Sequence, residues 1–515
     1  TYPVLDAGKP FDVTELDTQR IRTLQIPLAA DLTYSYAATP VDDTIISQLG
    51  DLAEEQELQK KFSALAAGEI MNTGEQRRVL HHLLRGQLGP AVVDKDGTDL
   101  GAFYREQQRR FSDFAVAVHE KKELGFTGRP FSTVVQIGIG GSDLGPRALY
   151  IALREWARAE GISPRMEARF ISNVDPDDAA AVLADIDFET TLFVLVSKSG
   201  TTQETLTNEQ FLRDQAAKRA PHLDISRHTV AVTSQTSPLA TGGAYRDSFF
   251  IDDFIGGRYS ATSAVGGVVL SLAFGPAVFE QILAGAHAAD KAAMNKEITS
   301  NATLLDAMIG VYERNILGMP TTAVLPYSQA LSRFPAHLQQ LDMESNGKSV
   351  NRDGEPIGYS TGPIVFGEPG TNGQHSFFQL LHQGTDPVPL QFIGFHESQI
   401  GTDTHYEGTT SQTKLNANLA AQIVAFAMGK QDANPNKNFA GGRPASLIVG
   451  KRLTPEALGA LLAHYENKVM FQGFVWNINS FDQEGVQLGK ILTKTLLSGK
   501  PSAQLSAYAE LLNVT

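Results

Sequence analysis

From Val134 onward, short and largely apolar runs alternate with stretches of helical period, and few architectures accept that rhythm. Val134-Val135-Gln136-Ile137-Gly138-Ile139, Phe170-Ile171-Ser172, Leu192–Val196 and Thr229–Val232 form one set of strand candidates. Thr321–Leu325, Ile364-Val365-Phe366 and Leu390-Gln391-Phe392-Ile393 form a second. A strand with one wet face alternates polar and apolar residues, whereas a continuously apolar strand needs cover on both faces, as in a parallel sheet wrapped by helices. The chain has 515 residues, too many for one compact core. Two such sets therefore predict an α/β protein built from two doubly wound parallel-sheet domains.

Residues before about Gly125 read as helix-rich. Thr73-Gly74-Glu75-Gln76 has the spacing of a capping box ahead of Val79, Leu80, Leu83 and Leu84. The stretch from Ser260 to Phe279 carries no charge, but its Ser, Thr and paired Gly residues and its Gly275-Pro276 break suit a helix buried in protein better than a membrane span. Asp432 to Arg443 is a loop rich in Asn, Gly and Pro.

Lys and Arg number 43 against 57 Asp and Glu, for a net charge of -14. Such a surface repels nucleic acid and anionic membrane, so an anionic ligand must be caught by a local pocket. The absence of cysteine excludes disulfides, thiolate catalysis and Cys-ligated metal. The opening Thr1-Tyr2-Pro3-Val4-Leu5-Asp6 has no basic head followed by an apolar run. Together these lead to the expectation of a cytoplasmic protein.

Two turns look made for an anion. Gly138-Ile139-Gly140-Gly141-Ser142-Asp143-Leu144-Gly145 follows a strand and opens a helix, where free amides and the helix dipole favour negative charge. It lacks the dinucleotide fingerprint, since Asp143 stands where the third Gly would fall. Ser197-Lys198-Ser199-Gly200-Thr201-Thr202 offers four hydroxyls and one ammonium, a set suited to a phosphate monoester. Further on, Gly256-Gly257-Arg258 brings a guanidinium close to the backbone. Asp342-Met343-Glu344-Ser345-Asn346-Gly347-Lys348 sets a carboxylate on a polar turn, and Gly370-Thr371-Asn372-Gly373-Gln374-His375 ends in an imidazole. Gln483 and Lys490 lie seven positions apart, which on one helix is two turns and a common face. Asp403-Thr404-His405-Tyr406-Glu407 resembles a metal tripod only loosely, and His81-His82 reads as structural.

These blocks, in this order from about Asn72 to Lys490, resemble the glucose-6-phosphate isomerase family. The resemblance implies two sugar-isomerase (SIS) domains: an N-terminal helical segment (1–105) packed on the large domain, a first, small domain with the phosphate loops (106–285), a second, large one (286–490), and a C-terminal helical arm (491–515). It implies that Ser142, Ser197, Lys198, Ser199 and Thr202 bind the substrate phosphate and that Gln483 lines the same pocket. Glu344 would be the base, Arg258 would steady an enediolate, and His375 and Lys490 would assist ring opening. No metal or cofactor is implied. The implied reaction is the aldose–ketose isomerisation of glucose 6-phosphate and fructose 6-phosphate, in a homodimer whose His375 segment serves the neighbouring subunit. Rival readings are a non-catalytic sugar-phosphate sensor and an isomerase of a related sugar phosphate. The chain departs from the family pattern at Glu484-Gly485-Val486-Gln487, where members commonly read Trp-Gly-Val-Glu, at Phe366 for a usual Trp, at Ser328 for a usual Asp and at Ser199 for a usual Thr.

Overall fold

The computed structural model describes residues 10–162, 165–243 and 245–514. The opening hexapeptide whose lack of a leader pattern was noted above lies outside them. Among the described residues two large sheets organise the chain, each with helices on its faces. The first is wholly parallel, with its strands side by side in the order Glu167–Ile171, Thr133–Ile137, Thr191–Val196, Thr229–Thr233 and Asp247–Phe250. Its middle strands are buried along nearly their whole length, as continuous apolar runs require. Numbered along the chain this order is 2-1-3-4-5, so the crossovers diverge between the first and third strands. The crevice at such a switch point, beyond the carboxyl ends of the strands, is where open α/β sheets take their ligands.

The second sheet repeats the pattern. Ile364–Phe366, Thr321–Pro326, Leu390–Phe395 and Ala445–Gly450 lie parallel in the order 2-1-3-4. Beyond Ala445–Gly450 two further strands, Thr33–Ala38 and Gln25–Pro27, run antiparallel. The second sheet is therefore mixed, and the N-terminal segment is not purely helical, because it supplies this antiparallel edge.

The apolar stretch after Ser260 is a buried element, as expected. Every residue of helix Ala264–Phe274 is buried, and the Gly275-Pro276 break starts a new helix, Pro276–Ala293. That second helix packs tightly on Pro455–Val475, which is buried at every position but Glu456. Glycine permits the approach: a Cβ on Gly285 would stand 1.9 Å from the Glu456 carbonyl oxygen, and one on Gly459 1.9 Å from that of Ile282. Charges inside this seam are paired. Arg85 meets Asp290 at 3.1 Å and also Glu466, while Asp306 takes Lys468 at 3.0 Å and His464 at 2.9 Å.

The capping-box spacing does not start a helix. Ile70–Asn72 and Arg77–Arg78 form a small antiparallel pair with Thr73–Gln76 as its turn, and His81–Leu84 is a single 3-10 turn. Polar residues that cap a helix also close a hairpin, and here the flanking strands decide. No helix among the described residues is long and apolar enough to cross a membrane.

Candidate active site

The first switch point is lined by the two turns rich in glycine and hydroxyls. Strand Thr133–Ile137 ends in Gly138, and Gly140 adopts φ +60°, which lets the chain turn sharply into helix Leu144–Ala159. The buried Gln136 amide donates to the Ser142 carbonyl at 2.7 Å and pins the turn from below. Strand Thr191–Val196 leads into Ser197–Thr202, which caps helix Gln203–Arg219. Within that turn the Ser197 and Thr202 hydroxyls lie 2.9 Å apart, Ser197 Oγ accepts the Gly200 N–H at 3.1 Å, and the Ser199 and Thr201 hydroxyls meet at 2.9 Å. Lys198 donates to the Ile255 carbonyl at 3.2 Å and faces Asp253 at 3.8 Å. Burial pulls its ammonium below the usual lysine value, and Asp253 opposes that shift.

Both turns converge on the segment that carries Arg258. Gly141 abuts Gly257 so closely that a Cβ there would fall 2.1 Å from the Gly257 carbonyl oxygen. Arg258 is buried, and a census of its five N–H groups shows how little of it is free. Nε donates to Ser345 Oγ at 2.6 Å, and Nη2 donates to the carbonyls of Ser480 at 2.6 Å and Asp482 at 2.8 Å. Nη1 is turned toward Glu344 Oε2 at 3.8 Å. Tyr259, its neighbour, shares the Ser345 hydroxyl at 2.9 Å, and burial pushes its phenol up.

Glu344 arrives from the second sheet. After strand Thr321–Pro326 the chain passes through helix Phe334–Gln339 into a π-helical turn, Gln340–Glu344. Such turns recur at functional sites because the extra residue per turn re-aims side chains. Glu344 Oε2 is buried and accepts no hydrogen bond among the described residues, so its negative charge faces Nη1 without a neutral donor competing for it. At the start of the same turn, Gln340 reaches the anion loop: a Cβ on Gly140 would meet its Nε2 at 3.2 Å, and its Oε1 is buried without a partner. Gln340 was not singled out in the sequence. Its position one turn before Glu344 was a usable signal, but only once that segment was known to be helical. Asp342, inside the turn, is raised to about 7 by burial, with Lys468 acting against the shift.

Arg258 thus meets Glu344 directly, and its segment abuts both the turn that holds Ser142 and the turn that holds Ser197, Lys198, Ser199 and Thr202. His375 makes no such contact. It closes the 3-10 turn Asn372–His375 beyond strand Ile364–Phe366, is exposed, and has no hydrogen bond or ion pair to Glu344 or Arg258 among the described residues. Gln483 and Lys490 are likewise exposed, and the shared helical face expected for them is absent. Helix Gln487–Leu497 begins after Gln483, which precedes a separate 3-10 turn at Glu484–Val486. The loose metal pattern also resolves differently. Asp403 accepts backbone N–H groups from Thr404, Ser411 and Gln412 as a loop cap, and no metal-competent cluster occurs among the described residues. His81 and His82 are buried; His81 stacks on Tyr259 with ring centroids 4.6 Å apart, and burial lowers both imidazoles, His82 to about 3.

Fold and side chains together define an α/β protein in which turns rich in glycine and hydroxyls adjoin the segment of a carboxylate–guanidinium couple. The sequence model described as "Phosphoglucose isomerase" matches residues 35–510, and the chain belongs to that family. It is 60% identical over 502 residues to a glucose-6-phosphate isomerase of Treponema denticola, spanning 98% of this chain and 94% of that relative. A relative of the same name from Chlamydia pneumoniae is 46% identical over 512 residues, 98% of this chain and 94% of its own. The crystal structure of a glucose-6-phosphate isomerase from Chlamydia trachomatis superposes with a TM-score of 0.91 at 45% identity, covering 98% of this chain and 96% of that one.

Proposed function

We propose that this chain interconverts glucose 6-phosphate and fructose 6-phosphate, an aldose–ketose isomerisation, with Glu344 as the base. The observation that carries the proposal is the approach of Arg258 Nη1 to Glu344 Oε2 at 3.8 Å on a segment that also abuts the Gly140–Ser142 turn. A phosphate held by Ser142, Ser197, Lys198, Ser199 and Thr202 then leaves the far end of the sugar beside the carboxylate. Neutral hydroxyls and one ammonium suit a monoester dianion, which needs many donors but little added charge.

The reaction must first break a cyclic hemiacetal. His375 and Lys490 are assigned to that step, one passing a proton to the ring oxygen while the other relieves the anomeric hydroxyl. Glu344 then removes the proton on C2 and returns it to C1. One carboxylate reaches both because the two carbons are adjacent on one face of a cis-enediolate. The developing oxyanion lies near Nη1 of Arg258, and a well-placed donor of that kind is worth roughly 3 to 4 kcal/mol in such a site. Gln483 lines the pocket, and these proton movements use side chains alone. A coupled assay with fructose 6-phosphate tests the proposal: the wild-type protein turns over, whereas Glu344→Gln binds substrate and loses nearly all rate. An unchanged rate in the variant removes Glu344 from the mechanism.

The working form is a homodimer in the cytoplasm, with His375 serving the crevice of the other subunit. Support comes from the exposure of His375 and from the apolar residues Leu488, Ile491, Leu492 and Leu497, all exposed on a helix that buries none of its residues. Sedimentation at assay concentration should give a dimer, and a fully active monomer would dispose of the shared site.

A further inference from the structure

The segment that carries Gln483 and Lys490 is held to the protomer almost entirely by its root. Helix Gln487–Leu497 packs chiefly on the turn Glu484–Val486 before it and on helix Ala503–Leu511 after it, and none of its residues is buried. Within one chain, the direction in which Lys490 points is therefore set upstream, at Ser480–Asp482. The Ser480 hydroxyl donates to Asn346 Oδ1 at 2.7 Å, and its carbonyl takes Arg258 Nη2. The Asp482 carbonyl takes Arg258 Nη2 as well, and also Lys348 Nζ at 3.3 Å. The Asp482 carboxylate receives the Lys348 ammonium on Oδ1 and the Asn479 amide on Oδ2 at 2.8 Å. Lys348 stands four residues after Glu344, so one ion pair joins the turn of the base to the root of the arm. Both of its side chains are only 15% exposed, so the pair is largely shielded from the solvent that makes surface pairs loose and weak. Asn346, fully buried, adds a second tie through Ser480 and is itself anchored to the Val469 carbonyl at 3.1 Å.

We propose that the Lys348–Asp482 ion pair is a positioning device that aims the Lys490 segment at the crevice, so that it governs ring opening and leaves the C2-to-C1 proton shuttle alone. The inference rests on the isomerase reading and on the assignment of Lys490 to the hemiacetal step. It separates two substrates. Fructose 6-phosphate must be opened, whereas 5-deoxyfructose 6-phosphate has no hydroxyl with which to close its ring and enters as the open ketose. With Lys348→Met, the rate on fructose 6-phosphate should fall about 100-fold, the scale of a misplaced catalytic group, with KM little changed, while the rate on the 5-deoxy compound falls less than about 3-fold. Lys348→Arg, which keeps the charge, should recover most of the loss. Adding Lys348→Met to Lys490→Ala should cost no more than Lys490→Ala alone, because both act on one step. Equal slowing on the two substrates, or additive losses in the double variant, overturns the proposal. Asp482→Asn must give the same substrate pattern, which keeps the test open should Lys348→Met fail to fold. A wild-type protein inactive on both substrates refutes the reaction itself, and that failure is visible before any variant is compared.

Discussion

The two sheets order their parallel strands alike, 2-1-3-4 from the edge, yet the loops at matching ends carry different chemistry. In the first sheet the loops after strands one and three hold hydroxyls, amides and a single ammonium, bonded mostly within their own turns. In the second, the loop after strand one delivers Glu344 to face Arg258, and spends its hydrogen bonds on other segments: Ser345 on the Arg258 turn, Asn346 and Lys348 on the root of the arm. Under the proposed function, one architecture serves as a grip in one half and as an acid–base apparatus in the other. A grip can be built locally, because a phosphate presents the same oxygens whatever sugar bears it. A base must be aimed at one pair of adjacent carbons, and its supports come from distant parts of the chain.

The largest effect separating the halves should come from Glu344→Gln, with kcat lower by roughly 10² to 10⁴-fold and KM within a few-fold, in a coupled assay. A comparable loss in KM would mean that the second sheet also grips. Gly141→Ala attacks the contact between the halves. The added methyl must push the Gly257 carbonyl away, and kcat/KM should fall about 100-fold even though no functional side chain is touched. Normal activity would show that the two loops need not be in register. On the first sheet alone, Ser199→Ala should raise KM about 10-fold, the loss of one hydrogen bond to a charged group, with kcat within about twofold. A fall in kcat instead would make the grip part of the rate step.

The smallest effect probes the seam through pH. His337 lies on helix Phe334–Gln339 beside Gly145 of helix Leu144–Ala159, which follows the first strand of the first sheet, and burial lowers its imidazole from 6.5 to about 4. The folded protein keeps it neutral while the unfolded chain protonates it, so its contribution is complete above pH 6.5 and is lost as pH falls toward 4. Denaturant titrations between pH 6.5 and 4.5 should show a slope shallower by up to about 1.4 kcal/mol per pH unit in His337→Gln than in the wild type. Parallel slopes would mean that His337 already titrates as it does in the unfolded chain.

The central strands were legible because burial on both faces leaves a continuous apolar run, and Thr191–Val196 and Thr229–Thr233 are such runs. Edges were not. Asp247–Phe250 begins with polar residues, and Thr33–Ala38 pairs with Ala445–Gly450 some 400 residues away, a partnership no local pattern announces. At the site, residues within one turn could be read from chemistry, since glycine, hydroxyl and ammonium together suit a phosphate. Gln340 escaped because its approach to Gly140 exists only after two sheets have packed, and the common helical face of Gln483 and Lys490 failed because the chain starts its helix four residues after Gln483.

The meeting of Gly141 with the Gly257 carbonyl acts as a molecular ruler. It joins main chain to main chain, so the spacing of the Ser142 turn from the Arg258 segment is set by backbone contact and not by any side chain that could be trimmed or lengthened. On the proposed reaction, a preference for a six-carbon backbone would follow from the scaffold, and retuning it would require moving whole loops.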